Sequence, residues 1–363
     1  MNVRLTQSES GIRRSHVRQL FAIARTTVTE SVQQPIALLI LIAAVVTTLL
    51  VPVFQFHRFS EDGRLARDSG LSCMLVFGLA LAIGTAGQAV ASEISRGTAA
   101  AALGKPVSRL TFLLAKWLGV LMVVTLFWGG VLAATLVAER CSAHFIIQGE
   151  YAGYATDPVT LSLALGGVGV ALIVAAIRHY FWRKRFGRAA FLNILIAQIS
   201  VVLLSGFYNR LGQLYPLQGE TACGADGCDH AHEAVTNLFY HIELNLGVIP
   251  VALLVLFALA LFTALATALA TRFSTGAVLA FCATILFFGL AGDTLKGSAP
   301  LLSMRGLLPG FLPDIQNFWL CDAIARGGQL SWKYVAEAGI HAVTFCVLFL
   351  TLGYAAFRQR DLG

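Results

Sequence analysis

Ala91-Ser-Glu-Ile-Ser-Arg-Gly-Thr-Ala-Ala-Ala-Ala-Leu-Gly-Lys-Pro-Val-Ser-Arg109 lies between two apolar runs, 71–91 and 113–138. Each run is long enough to cross a bilayer, so the polar stretch between them is exposed on one membrane face. Its punctuation predicts a folded piece and not a slack loop. Ser92 or Ser95 is placed to cap a short helix through the alanine run. Gly104 supplies a left-handed stop, Pro106 forbids continuation, and Ser108 is placed to cap the next helix. The expectation is helix, turn, helix at the membrane surface.

Outward from this stretch, the chain reads as membrane protein throughout. It is 57% hydrophobic and only 12% charged, with a mean hydropathy of +0.75, whereas an ordinary soluble domain carries about 25% charged residues. A soluble fold would have too little polar surface. The apolar runs place about eight crossings, at 36–56, 71–91, 113–138, 159–177, 189–208, 247–270, 276–295 and 339–357. At a rise of about 1.5 Å per residue the first covers roughly 30 Å, the thickness of the hydrocarbon core. The fold class expected is therefore an all-α polytopic membrane protein of about eight transmembrane helices. Residues 36–363 form a single transmembrane domain on this reading, and 1–35 precede it.

Orientation follows from the cations, since loops rich in Lys and Arg stay cytoplasmic. Arg4, Arg13, Arg14, Arg18 and Arg25 precede the first span; Arg96, Lys105 and Arg109 lie in the opening stretch. Arg178, Arg183, Lys184, Arg185 and Arg188 crowd one short loop, and Arg358 and Arg360 end the chain. With eight spans all fall on one side, which puts both termini in the cytoplasm, in a bacterial inner membrane. The opposite stretches, around 140–157 and 209–245, are poorer in cations and richer in acids; Arg58, Arg64 and Arg67 go against the rule but are accompanied by Glu61, Asp62 and Asp68. The net charge of +7 thus reads as a topology signal, and no nucleic-acid partner is expected.

Within residues 1–35, Val17, Leu20, Phe21, Ala24 and Val28 recur at helical spacing while Arg14, Arg18 and Arg25 lie mostly elsewhere on the wheel. That pattern predicts an amphipathic helix in the membrane interface, with a plain basic leader as the competing reading. The first apolar run is a full span without a cleavage site, so it is expected to stay in the mature protein.

The opening stretch also resembles a known family, the permease subunits of type-2 ATP-binding-cassette exporters. The resemblance rests on Glu93, Gly97, Thr98, Pro106, Val107, Ser108, Arg109, Lys116 and Gly119, with Ala115 where the family usually has Gly. The tail Ala356-Phe-Arg-Gln-Arg-Asp-Leu362 and the stretch Leu312-Pro-Asp-Ile-Gln-Asn-Phe-Trp-Leu320 are similar to the branch associated with copper-enzyme maturation. The resemblance implies that 92–112 is a cytoplasmic coupling segment with a coupling helix. Glu93, Arg96, Gly97, Thr98, Lys105, Pro106, Ser108 and Arg109 would present it to a separate ATPase subunit that binds ATP and Mg. It further implies a second permease subunit, identical or different. Such permeases have about six spans, so the pair 159–208 is an insertion relative to the family, and the turn 271–275 would match its second cytoplasmic turn.

Three features bear on chemistry in the chain itself. Gly97 to Lys105 superficially suggests a phosphate loop, but Gly97 lies seven residues before Gly104 and Pro106 stands where a Ser or Thr must hold magnesium. It is not a nucleotide site, and no true phosphate loop occurs elsewhere, so the ATPase of such a transporter must be another polypeptide. Cys223-Gly-Ala-Asp-Gly-Cys228-Asp-His-Ala-His-Glu233 lies in the long stretch 209–246, extracytoplasmic on this topology. Cys223, Cys228, His230 and His232 could bind zinc or copper. The oxidising compartment favours a disulfide between Cys223 and Cys228, with Cys141 and Cys321 as further possible partners, and an inert acidic loop is the third reading. Finally, Gln88, Asn193, Gln198, Asp293 and Thr294 are polar at membrane depth, where Asp293 is either a functional group or an interfacial one. No nucleophile triad, carboxylate pair or zinc-protease motif lies in the spans, so catalysis by this chain is not expected. The competing function is a self-sufficient secondary transporter or a membrane-anchored metal-handling protein.

Overall fold

In the computed structural model the described residues are 2–54, 63–95, 108–148, 151–183, 185–208, 244–290, 313, 315–320 and 330–359, with backbone alone for 2–17, 145–148, 151 and 152. They are mostly helical. The helices are α1 (Asn2–Gln33), α2 (Pro35–Leu50, followed by the 3-10 turn Val51–Phe54), α3 (Arg64–Ala86), α4 (Arg109–Cys141), α5 (Pro158–Trp182), α6 (Phe186–Leu204), α7 (Val248–Leu269), α8 (Thr275–Leu290) and α9 (Trp332–Arg358). Seven helical segments are long and apolar enough to cross a membrane. The chain is an integral membrane protein. The eighth expected crossing corresponds to α8, whose 16 residues rise about 24 Å; the rest of that expected span, 291–295, lies outside the described residues.

The described residues fit the all-α class apart from one small hairpin: β1 (His144–Gln148) and β2 (Tyr151–Ala155) pair antiparallel with Gln148 opposite Tyr151, inside a stretch read as loop. Of the two caps expected for the next short helix, Ser92 lies within a continuing helical stretch, and Ser95 ends the described residues there. After α3 the chain passes through a π-turn, Gly87–Ala91, into the helical turn Ser92–Ser95, and the Ser92 hydroxyl donates back to the Gln88 carbonyl. The alanine run 99–103 lies outside the described residues.

The chain divides into two compact units. The first comprises Met1–Ile40, Leu75–Trp128 and Pro250–Gly363. Here Leu259 of α7 packs where Gly78 of α3 has no side chain, and the Trp128 indole donates to the Ala252 carbonyl at 2.8 Å. The far part of α1 packs through Thr27 and Ala24 onto Gly119, where any Cβ would meet the Thr27 side chain at 2.7 Å and the Ala24 carbonyl at 3.0 Å. Among the described side chains of α1, Thr27, Ser31 and Val32 are buried, while Phe21 is exposed. Small residues at this contact let the two helices approach closely.

The second unit comprises Leu41–Met74 and Gly129–Ile249. Its helical hairpin, α5 and α6, is bound side by side: Gln198 Nε2 donates to the Ala164 carbonyl at 3.1 Å and Asn193 Nδ2 to that of Ala171 at 3.3 Å. These two polar residues at membrane depth therefore serve helix pairing, the usual solution for an amide surrounded by hydrocarbon. Asp293 and Thr294 lie outside the described residues.

Candidate functional site

The first turn of α4 is capped as the sequence predicts. The Thr111 amide donates to the Ser108 hydroxyl at 3.0 Å, so Ser108 caps α4. From there Arg109, Phe112 and Lys116 follow at helical spacing along one side of α4, and each meets a partner from elsewhere in the first unit.

Lys116 is the deepest. Its side chain is 5% exposed, and Nζ donates to Glu93 Oε1 at 2.5 Å. The ammonium also sits 5.6 Å from the centre of the Phe112 ring, a cation–π geometry. Glu93, at the end of the α3 continuation, is 27% exposed. The pair closes the two ends of the segment 92–112 onto each other, on either side of residues that are not described.

Phe112 is buried and stacks on buried Phe357 of α9, with ring centres 6.1 Å apart at 23°. Arg109 lies over the same Phe357 ring at 5.7 Å. Its Nη1 donates to the carbonyls of Phe357 at 3.0 Å and Arg358 at 2.9 Å. From another direction Arg272 donates through Nε and Nη2 to the Ala356 carbonyl at 3.0 and 2.6 Å. The last carbonyls of a helix have no intrahelical donor and carry its negative dipole end. Two guanidinium groups satisfy three of them here.

The turn holding Arg272 also borders the π-turn of α3. Gly87 faces the Thr275 side chain so closely that no Cβ fits. Between them opens a cleft of about 380 Å³ lined by Ala91, Ser92, Ala270, Arg272, Phe273, Ser274 and Thr275. A π-turn inside a helix often marks a functional position.

Of the eight residues expected to form the coupling surface, Glu93, Ser108 and Arg109 are thus brought to one cluster. Glu93 and Arg109 meet their counter-charges and carbonyl acceptors inside the chain. Arg96, Gly97, Thr98, Lys105 and Pro106 lie outside the described residues, as do Cys223, Cys228, His230 and His232. Cys141 is a buried thiol at the end of α4. Sequence reasoning did not anticipate Arg272, Phe357 and the Arg358 carbonyl as parts of this cluster, although the turn 271–275 and the tail were both singled out.

The second unit holds a different charged group, also unanticipated. Arg140, on the last turn of α4, is 1% exposed. Its Nε donates to Asp157 Oδ2 at 2.9 Å, Nη2 to the Tyr208 carbonyl at 2.7 Å, and Nη1 to the Ser205 carbonyl. The guanidinium lies 5.2 Å from the Tyr208 ring centre. Asp157 in turn caps α5, accepting from the Thr160 amide at 2.9 Å and the Thr160 hydroxyl at 2.5 Å, and that hydroxyl meets the Tyr208 hydroxyl at 2.8 Å. Nearby in chain order, buried Glu139 accepts from Arg67 at 3.4 Å and from Asn245 at 2.9 Å. The legible signal was Asp157-Pro158-Val-Thr160, a cap followed by proline in the first helical turn. The Arg140 bonds join α4 to the start of α5 and to the chain just after α6, a structural arrangement more than a reactive one.

Against known proteins, no family model matches the chain and no curated protein matches its sequence.

Proposed function

We propose that the chain is the membrane-spanning permease subunit of an ATP-binding-cassette exporter. A separate cytoplasmic ATPase subunit would grip the segment 92–112, and a second permease subunit would complete the translocation unit. Both termini then lie in the cytoplasm of a bacterial cell. The observation that carries this reading is the cluster around Glu93, Lys116, Arg109 and Arg272. It ties the two ends of the polar segment to α3, α4, the turn after α7 and the end of α9, so a push on that segment is shared by several helices at once. Helices held by ion pairs and carbonyl bonds transmit displacement better than loops.

Since Glu93 and Arg109 are engaged within the chain, the residues left to meet a partner are those between them. The test is co-purification of a phosphate-loop ATPase subunit from the native host's cytoplasm, and ATP turnover in lipid, for wild type and for Arg96→Glu/Lys105→Glu. A like-charge contact at an interface costs free energy, so the reversed form should lose the ATPase while still inserting in the membrane. Retention of the ATPase with normal stimulation would remove the coupling role of 92–112. If wild type holds no ATPase, the exporter reading fails and a self-sufficient transporter or metal-handling protein takes its place.

A further inference from the structure

We propose that the tip of the α5–α6 hairpin is a binding surface for the phosphate headgroups of anionic phospholipids. The inference rests on the hairpin alone and stands whether or not the chain is an exporter subunit.

The first observation is charge. Arg178, Arg183, Lys184, Arg185 and Arg188 fall within one tip, and residues 158–219 contain no Asp or Glu at all. Arg183, Arg185 and Arg188 are exposed. Cations for topology alone need only lie near a span end, whereas Arg183 and Arg185 lie between the two helices and Arg178 and Arg188 on the turns that flank them.

The second is the company they keep. Tyr180 is 81%, Phe181 70% and Trp182 65% exposed, an uninterrupted aromatic run at the end of α5. Phe181 meets both Tyr180 and Trp182 edge to face, and His179 meets Phe186 of α6 across the turn at 6.5 Å. Aromatic rings of this kind settle at headgroup depth. Below them α5 and α6 are the least buried of the seven candidate spans, and Val170, Ile173, Ile196 and Leu203 are well exposed along them. Apolar shafts, an aromatic collar and a cationic tip match, in order, acyl chains, the interface and phosphates.

The third is that the tip breaks two local rules. Arg183 adopts the left-handed conformation, φ 49° and ψ 27°, at the position closing α5, where glycine is the unstrained choice. Arg185 and Arg188 occupy the N-cap and first turn of α6, where the helix dipole disfavours cations. Such conflicts are kept where the side chain has a task beyond folding. A negative leaflet surface, which attracts juxtamembrane cations, supplies it.

The experiment uses the full chain in phosphatidylcholine vesicles with a small fraction of brominated lipid. Quenching of Trp182 is read as the difference between wild type and Trp182→Phe. At low salt, brominated phosphatidylglycerol should quench Trp182 roughly fivefold more effectively than brominated phosphatidylcholine at equal fraction. The preference should fall as salt screens the attraction. Arg183→Gln/Arg185→Gln/Arg188→Gln should abolish it, and Arg183→Gly, which relieves the backbone and so keeps the hairpin folded, should weaken it. Equal quenching by the two lipids in wild type, or a preference that survives the triple substitution, would overturn the proposal. So would loss of the preference on adding inorganic phosphate at constant ionic strength, which would assign the surface to a soluble anion. A Trp182 that neither lipid quenches would show the tip covered by protein, and would overturn it equally.

Discussion

Arg140 shows what one residue contributes when it is sealed from water. Its guanidinium bonds Asp157, Ser205 and Tyr208 with no exposed alternative, so its removal leaves a carboxylate buried without a counter-ion. Breaking such a pair costs about 3–5 kcal/mol. Arg140→Met should therefore destabilise the protein by that amount in a denaturant titration in detergent or lipid. Asp157→Asn should cost less, since the amide oxygen can still cap α5 for Thr160. The double variant should cost clearly less than the two single effects added together, because the second change removes a group the first had stranded. Additive effects would mean that Arg140 and Asp157 do not act as a pair.

Among the elements, α9 depends most on groups outside itself. Its last carbonyls, at Ala356, Phe357 and Arg358, are bonded by Arg272 and Arg109, and Phe357 is clasped between Phe112 and the Arg109 guanidinium. Arg109→Met keeps most of the aliphatic stem and removes two bonds, and hydrogen bonds from a charged donor are worth about 1.5–3 kcal/mol each at most. The last turn of α9 should fray first. Amide exchange at 354–359 should quicken by ten-fold or more in Arg109→Met, about 1.4 kcal/mol, with the middle of α9 unchanged; an unaltered last turn would show that the Arg109 contacts do not hold it. This arrangement also marks how far the sequence could be read. The apolar runs located the helices, and Ser108 announced the start of α4 through its residue type and the proline before it. The beginning of α3 was missed by seven residues because Arg64, Arg67 and Asp68 look like loop until their charges are seen paired with each other and with Glu139. The β1–β2 hairpin was hidden in a short stretch whose alternation is weak. Of the cluster around Arg109, the residues Glu93, Ser108 and Arg109 were singled out in the sequence, through capping chemistry and the family resemblance. The contribution of α9 was not, because nothing in the sequence near Phe357 names Arg109, nearly 250 positions away, as its partner.

At the scale of the whole molecule the decisive quantity is the parity of crossings. Among the described residues seven helical segments are long enough to span, and on the eight-span reading α8 decides whether both termini share a side. Its 16 residues fall short of a full crossing by about 6 Å at the rise of an α-helix. Local thinning of the bilayer, or an apolar continuation through Ala291, would make up that difference, since mismatch costs only fractions of a kcal/mol per Å. The cations favour the crossing. Arg13, Arg14 and Arg18 near one terminus and Arg358 and Arg360 near the other are cations of the kind that favour a cytoplasmic chain end, and an odd number of spans would put one set across. Single cysteines at Ser8, Arg185, Glu220 and Leu362, in a background with all seven native cysteines replaced by serine, test this directly with a membrane-impermeant thiol reagent on intact cells. Only the Glu220→Cys form should be modified, and Ser8→Cys, Arg185→Cys and Leu362→Cys should react only after permeabilisation. Modification of Leu362→Cys in intact cells would show that α8 does not cross and that the chain has seven spans. Modification of Arg185→Cys would invert the hairpin, and with it the assignment of 92–112 to the cytoplasmic side on which an ATPase could reach it.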